Sequence, residues 1–160
     1  MHAAVIVQVA SPEHAAQIAD MSREYIEYGL GWGWTERRVL KEIRDPETNV
    51  VVVAPDLQVR GFGIMSYGDD HAHLLLLAVL PQYRRRGIAS AVVQWLEASA
   101  QAAGSERIQV ECRRSNAPAR NLYVEHGYHE KVIESAMYRQ AEDGIRLEKW
   151  LRARGGKSAA

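Results

Sequence analysis

The sequence predicts a mixed α/β (α+β) fold, a central sheet of about six or seven strands flanked by about four helices. Three observations carry this. An apolar run of strand length, residues 74–80, meets Pro81 and a basic turn containing Gly87, and a helical pattern starts at Ile88. That helix closes at Gly104 and is followed by the β-prone run 108–112, so the two strands should lie parallel through a right-handed crossover. Before them, the runs 49–54, 59–67 and 71–80 are separated only by the turns Pro55-Asp56 and Gly68-Asp69-Asp70, the pattern of an antiparallel meander.

The remaining elements follow in order. Residues 5–9 form a short β-prone run, and Ser11-Pro12 then offers a cap with proline at the first helical position. The spacing of Ala15, Ile18, Ala19, Met21 and Tyr25 predicts a helix reaching Tyr28. Gly29, Gly31 and Gly33 break it, with Trp32 and Trp34 interleaved. Thr35 caps a second helix through Arg44, which Asp45-Pro46 ends. Gly61 and Gly63 mark a bulge or tight packing in their strand. In the third helix Ile88, Val92, Trp95, Leu96 and Ser99 describe one face. Pro118 starts a fourth helix, which carries Leu122, Tyr123 and His126 and ends at Gly127. A closing hairpin is expected from 128–139 and 145–151, turning at Glu142-Asp143-Gly144.

With 160 residues and no linker or repeat, residues 1–151 are expected to form a single domain, followed by a flexible tail at 152–160. Twenty acidic residues balance twenty basic ones, which argues against a general nucleic-acid or membrane binder. The lone Cys112 excludes an internal disulfide and suits a reducing compartment. No charged segment precedes a long apolar one, and the longest apolar run falls far short of the roughly 20 residues of a membrane span. A soluble, cytoplasmic protein is expected.

The turn at 84–90 carries the first chemistry. It stands at the amino end of a helix, where backbone N–H groups lack intrahelical partners and the helix dipole favours an anion. Gly87 permits close approach of the backbone, and Arg84, Arg85 and Arg86 supply charge suited to phosphate. No Gly-Lys-Ser/Thr follows and only one glycine lies in the turn, so it is neither a Walker loop nor a dinucleotide fingerprint. Read from the residues alone, the arginines could equally form a solvated face or touch nucleic acid.

The pattern Arg84-x-x-Gly87-x-Ala89, preceded by Ala78-Val79-x-Pro81-x-Tyr83, resembles the acyl-CoA signature of the GNAT superfamily of N-acetyltransferases. Ala89 stands where glycine is more frequent. A second stretch, ECRRSNAPARNLYVEHGY at 111–128, resembles the second signature of that family, with Asn116, Ala119, Leu122, Tyr123, Gly127 and Tyr128 in place. The order of elements also matches, and the motif is closest to ribosomal-protein alanine N-acetyltransferases. The resemblance implies the GNAT fold, acetyl-CoA as co-substrate and a primary amine as acceptor. It implies that the amides of Arg84, Arg85, Arg86, Gly87, Ile88, Ala89 and Ser90 hold pyrophosphate. Leu77, Ala78 and Val79 would then pair with the pantetheine arm, which Asn116 and Tyr123 also approach.

Acyl transfer from a thioester to an amine requires loss of the amine proton, stabilisation of the developing oxyanion and a partner for the leaving thiolate. No covalent enzyme intermediate is needed when both substrates bind together. Glu111 is one candidate base, at a position resembling the catalytic Glu of ribosomal-protein alanine N-acetyltransferases. His73 is the rival, six residues before Val79, where histone acetyltransferases of the superfamily carry theirs. Either could instead be an ordinary strand residue. Tyr123 resembles the family tyrosine that faces the sulfur, although an aromatic on such a helix also serves as core. Cys112 should point away from Glu111 and is rejected as a nucleophile. The six histidines are scattered, so no metal is expected. In relatives the region of Tyr25, Tyr28, Trp32 and Trp34 lines the acceptor groove, and these rings could stack on a cationic amine. Core packing or a homodimer contact are their competing uses. The alternative to an enzyme is an acyl-CoA-binding sensor or interaction module without turnover.

Overall fold

The computed structural model describes residues 4–138 and 142–152. Among these, the strands are β1 Gln8–Val9, β2 Thr48–Val53, β3 Gly61–Tyr67, β4 His71–Val79, β5 Arg107–Arg113, β6 His129–Tyr138 and β7 Glu142–Trp150. The α-helices are α1 Ala15–Met21, α2 Glu36–Arg44, α3 Ile88–Ala102 and α4 Ala117–Glu125. The strands form one mixed sheet in the order β1-β2-β3-β4-β5-β7-β6. β4 and β5 are parallel, His71 opposite Arg107 through Leu74 opposite Val110, as the crossover requires. The tail expected at 152–160 lies, apart from Arg152, outside the described residues.

Two compact units emerge, one of residues 1–66 and 75–97, the other of 67–74 and 98–160. In the first, α1 is extended on both sides: Pro12–His14 is a 3₁₀ turn and Ser22–Ile26 a π-helical turn. The helix expected to reach Tyr28 instead ends at Ile26, and its last turn is wider than an α-helix. Thr35 caps α2 by accepting the Arg38 N–H at 3.3 Å. The core of this unit joins Ile18, Val39, Val50, Val52, Phe62 and Ile64, which are almost fully buried. Gly61 and Gly63 serve close packing. A Cβ on Gly61 would stand 2.6 Å from Ile88 Cγ2, and one on Gly63 2.7 Å from Val92 Cγ1. α3 buries Ile88, Val92, Val93 and Leu96, whereas Trp95, expected on that face, is only half-buried.

β1 is shorter than expected, and the Ile6 side chain just before it stays 72% exposed, so extending the strand would bury little of it. In the second unit Ala72, Leu74, Ile108, Val110, Ile145 and Leu147 are buried. His73, Gln109 and Glu111 alternate with them and lie half-buried on the opposite face. The hairpin turn expected at Glu142-Asp143-Gly144 is displaced, since these residues begin β7, and residues 139–141 lie outside the described set.

Candidate functional site

The cradle belongs to the first unit. After β4, Pro81–Tyr83 makes a 3₁₀ turn and residues 84–87 lead into α3. Gly87 has φ of 80° and Arg85, the one non-glycine with positive φ among the described residues, 62°. Left-handed residues in sequence turn successive N–H groups to one side, the geometry of an anion-binding concavity. The N–H groups of Arg85, Arg86, Gly87, Ile88 and Ala89 have no acceptor among the described residues. A Cβ at Gly87 would meet nothing within 4 Å, so the space in front of the turn is open. These features fit a pyrophosphate bound mainly by backbone.

The arginines are partly engaged elsewhere. Arg84 Nε donates to the Val79 carbonyl at 3.0 Å, and its guanidinium lies 5.5 Å from the Tyr25 ring centroid. Arg86 stands 5.5 Å from the Tyr83 ring, which Arg60 approaches at 4.5 Å. The Ile88 side chain is buried, and Ala89 and Ser90 are half-buried. Leu77 is half-buried in β4, while Ala78 and Val79 are buried near its end.

The early aromatic residues separate into two kinds. Trp34 is 7% exposed in the core, with the Arg38 guanidinium 3.8 Å from its ring centroid. Tyr28 and Trp32 are 52% and 39% exposed. Trp32 is nevertheless fixed, because its Nε1 donates to the Ala19 carbonyl at 3.2 Å.

The second unit brings the two rival bases together. His73 Nε2 lies 2.8 Å from Glu111 Oε1 across the parallel β4–β5 pair, though 38 residues separate them in sequence. An ionised carboxylate only accepts, so Nε2 carries the hydrogen of this contact, and in the neutral form of the ring the lone pair lies on Nδ1. Nδ1 has no partner among the described residues, and the His73 side chain is 34% exposed. Arg146, opposite Glu111 on β7, places Nε 3.5 Å from Glu111 Oε2. Burial pushes the Glu111 carboxyl upward, but the His73 hydrogen bond and the charges of His73 and Arg146 outweigh it and hold the group below the usual glutamate range. Arg146 carries no motif. Only the β5–β7 register reveals it.

The same face continues toward the start of the strands. Gln109 Nε2 donates to Glu148 Oε2 at 3.0 Å, and Asp70 lies 2.8 Å from His71 Nδ1 and 3.6 Å from Arg107 Nη1. The hydrogen bond with His71 lowers the exposed Asp70 carboxyl, with Arg107 acting in the same direction.

On α4, Asn116 accepts the Ala119 N–H at 3.2 Å as the helix cap. Tyr123 is buried, its ring 5.5 Å from that of Tyr128. Cys112 is buried on the face opposite Glu111, and burial pushes its thiol up to about 11, which suppresses the thiolate a nucleophile needs. Among the described residues no three His, Cys, Asp or Glu side chains cluster as a metal site, and no helix is long and apolar enough to cross a membrane.

Residues 15–128 match the Acetyltransferase (GNAT) family. The chain is 39% identical over 72 residues to an N-alpha-acetyltransferase of Sulfurisphaera tokodaii, covering 44% of this chain and 43% of that one. It is 28% identical over 109 residues to a ribosomal-protein-alanine N-acetyltransferase of Salmonella typhimurium, covering 68% and 73%. The match to the Sulfurisphaera tokodaii relative thus spans less than half of that protein's length. The crystal structure of the ribosomal-protein-alanine N-acetyltransferase from Escherichia coli superimposes with a TM-score of 0.80 over 96% of this chain and 98% of that one. At 20% identity, this likeness bears on the fold alone.

Proposed function

The chain belongs to the acetyltransferase (GNAT) family, and we propose that it transfers an acetyl group from acetyl-CoA to the α-amine of a polypeptide. The observation that carries the chemistry is the 2.8 Å contact between His73 and Glu111. Glu111 holds the imidazole in the tautomer with hydrogen on Nε2 and stabilises the imidazolium that forms when Nδ1 takes the amine proton. Glu111 itself is the poorer acceptor, because Oε1 is engaged by His73 and Oε2 is buried facing Arg146.

Acetyl-CoA supplies the activated acetyl group, and the open amides at 85–89 are assigned to its pyrophosphate. In the overall transfer an N–C bond forms, the C–S bond breaks, and the proton lost by the amine is balanced by one gained by the thiol. The Tyr123 hydroxyl is assigned as the hydrogen-bond donor to the departing sulfur.

Base strength favours an α-amine over a lysine. An α-amine has a pKa near 7.7–8.0 and a lysine near 10.4. Near neutral pH a far larger share of an α-amine than of a lysine is already in the neutral, attacking form. The names of the two sequence relatives, an N-alpha-acetyltransferase and an alanine N-acetyltransferase, point the same way.

Free-thiol release with acetyl-CoA tests the proposal on two peptides, one with a free N-terminus and no lysine, the other N-acetylated with one lysine. Turnover on the first alone is expected. Equal turnover on both would overturn the acceptor assignment. Acetyl-CoA binding without thiol release on any amine would identify a sensor or interaction module instead.

A further inference from the structure

α2, outside the sequence motifs, carries an uncompensated positive face. Arg37, Arg38, Lys41 and Arg44 are all exposed. At 3.6 residues per turn they fall within about a third of the helix circumference, and Val39 is buried on the opposite side. A groove of about 720 Å³ runs between their side chains, with the half-buried Leu40 at its edge. None of the four cations forms an ion pair among the described residues. The nearest carboxylates are engaged elsewhere. Glu42 accepts from the Thr48 hydroxyl at 3.1 Å, and Asp45, at one end of the groove, accepts from the Glu47 N–H at 2.8 Å. Glu36, on the flank, is exposed and also forms no ion pair among the described residues.

This arrangement works against the helix that carries it. Arg37 and Lys41 are four residues apart, and Arg38 and Lys41, like Lys41 and Arg44, are three apart, so like charges are neighbours along the face. Arg37 and Arg38 also stand in the first turn, where the helix dipole favours anions. A helix that only had to cover its Val39 side would be more stable with alternating charges. One of the cations is held in place as well. The Arg38 guanidinium stacks on the Trp34 ring, 3.8 Å from its centroid, which leaves the N–H edge of its fork turned to the outside. The zero net charge of the whole chain is an average that conceals this face.

The rest of the face restricts the partner. Anionic membranes are held by apolar side chains that insert beside the cations. Protein interfaces centre on a desolvated apolar or aromatic anchor and keep charge at the rim. Single-stranded nucleic acids are held by exposed rings that stack on bases. α2 presents none of these, since Leu40 is half-buried and Trp34 is 7% exposed. A cationic face without anchors matches a duplex, whose bases are stacked inside and whose phosphates lie outside. α1 and β2 pack against the inner side of α2, so the helix lies across a groove rather than entering one. The narrow major groove of A-form RNA brings phosphates of both strands to one helix face, whereas that of B-form DNA is about 12 Å wide. We propose that the outer face of α2 binds the phosphate backbone of duplex RNA without reading its sequence.

Fluorescence anisotropy of a short labelled RNA duplex tests the proposal on the full chain, with CoA present so that the cradle is filled. If the four cations each meet a phosphate, the logarithm of the binding constant should fall against the logarithm of salt with a slope of about −3. R37Q/K41Q/R44Q should weaken binding at least tenfold at low salt and flatten the slope by about 2. A second duplex of different sequence should bind within about twofold of the first, since phosphate contacts carry no sequence information. The variant should melt no earlier than the wild type, because repulsion along the helix is relieved. Should the triple variant fail to fold, R37Q/K41Q carries the same test with a slope change of about 1.5.

Unchanged affinity or slope in the variants would overturn the proposal, as would a wild-type slope near zero. So would a strong preference for one of the two sequences, or equal affinity for a DNA duplex of the same length. A glutamate-rich peptide or an anionic vesicle bound as tightly as the RNA would assign the face to a protein or a membrane instead. None of these readouts involves turnover. A wild type inactive on every amine would fail the activity proposal and leave the RNA measurement to stand or fall by itself.

Discussion

The cradle at 84–90 and the His73–Glu111 pair are assigned to the same reaction but are built from different material. The cradle is main chain: two left-handed residues and a run of open N–H groups within one stretch of sequence. The pair is side chain: an imidazole and a carboxylate from strands that meet only through sheet register. A site made of backbone tolerates many side chains provided the turn keeps its conformation. A site made of two side chains fails when either is changed. The cradle should therefore be broken by geometry and charge, and the pair by loss of single atoms.

The largest effect is expected at the pair. His73→Ala and Glu111→Gln should each lower kcat by roughly 10²–10⁴ if general-base catalysis operates. His73→Ala removes the accepting nitrogen. Glu111→Gln can turn its NH₂ toward the ring and enforce the wrong tautomer. Because the two act as one device, the double variant should be about as slow as the slower single one. Multiplying losses would show that the residues act independently. A silent His73→Ala beside an inactive Glu111→Gln would return the base to Glu111.

At the cradle, Gly87→Glu should weaken acetyl-CoA binding by roughly a hundredfold, the scale of a like charge placed against a polyanion. Gly87→Ala separates the two causes. No protein atom obstructs its Cβ, so its loss contains the strain of an L-residue at φ 80° and the space the methyl takes from the ligand, but no added charge. Calorimetry on the folded variants gives both values. Unchanged affinity in Gly87→Glu would remove the phosphate assignment altogether.

Tyr123→Phe should be milder, a loss of about tenfold in kcat, the worth of one hydrogen bond to a developing charge. The Phe ring keeps its packing on Tyr128, so the melting temperature should hold. With acyl thioesters of graded leaving-group basicity, the defect should grow as the thiol becomes more basic. A flat response would leave Tyr123 as a packing residue.

The same division between main chain and side chain explains what could be read in advance. Turns and caps are local, and Thr35, Asp45-Pro46, Gly87, Gly104 and Gly127 each stand where their chemistry places them. The parallel strand pair follows from the crossover between them. Features set by burial were less legible. β1 stops short of Ile6, whose side chain stays exposed. Val93, rather than Trp95, completes the buried face of α3, a choice set by what packs opposite. Arg146 and Glu27 were illegible for another reason. One meets Glu111 only through β5–β7 pairing, and the buried carboxylate of the other accepts from the N–H groups of Gly33 and Trp34, six and seven residues away.

The smallest effect tests the pair through stability rather than turnover. The folded chain holds the Glu111 carboxyl below the usual glutamate range, whereas the unfolded chain returns it to about 4.3. A lowered folded value means that the folded state favours the carboxylate. The resulting stabilisation is fully present above the unfolded value and is lost as pH falls through the folded one. Glu111→Gln has no such proton to bind. The stability difference between wild type and Glu111→Gln should therefore move against the wild type as pH falls below about 4.3. Urea midpoints from pH 7 to 3 measure it. Carboxylates common to both proteins, Asp70 and Glu130 among them, shift both curves together and largely cancel in the difference. If the two curves stay parallel from about pH 4.3 to 3, the carboxylate gains nothing from His73 and Arg146 in the folded state. The pair would then be two neighbouring side chains rather than one device.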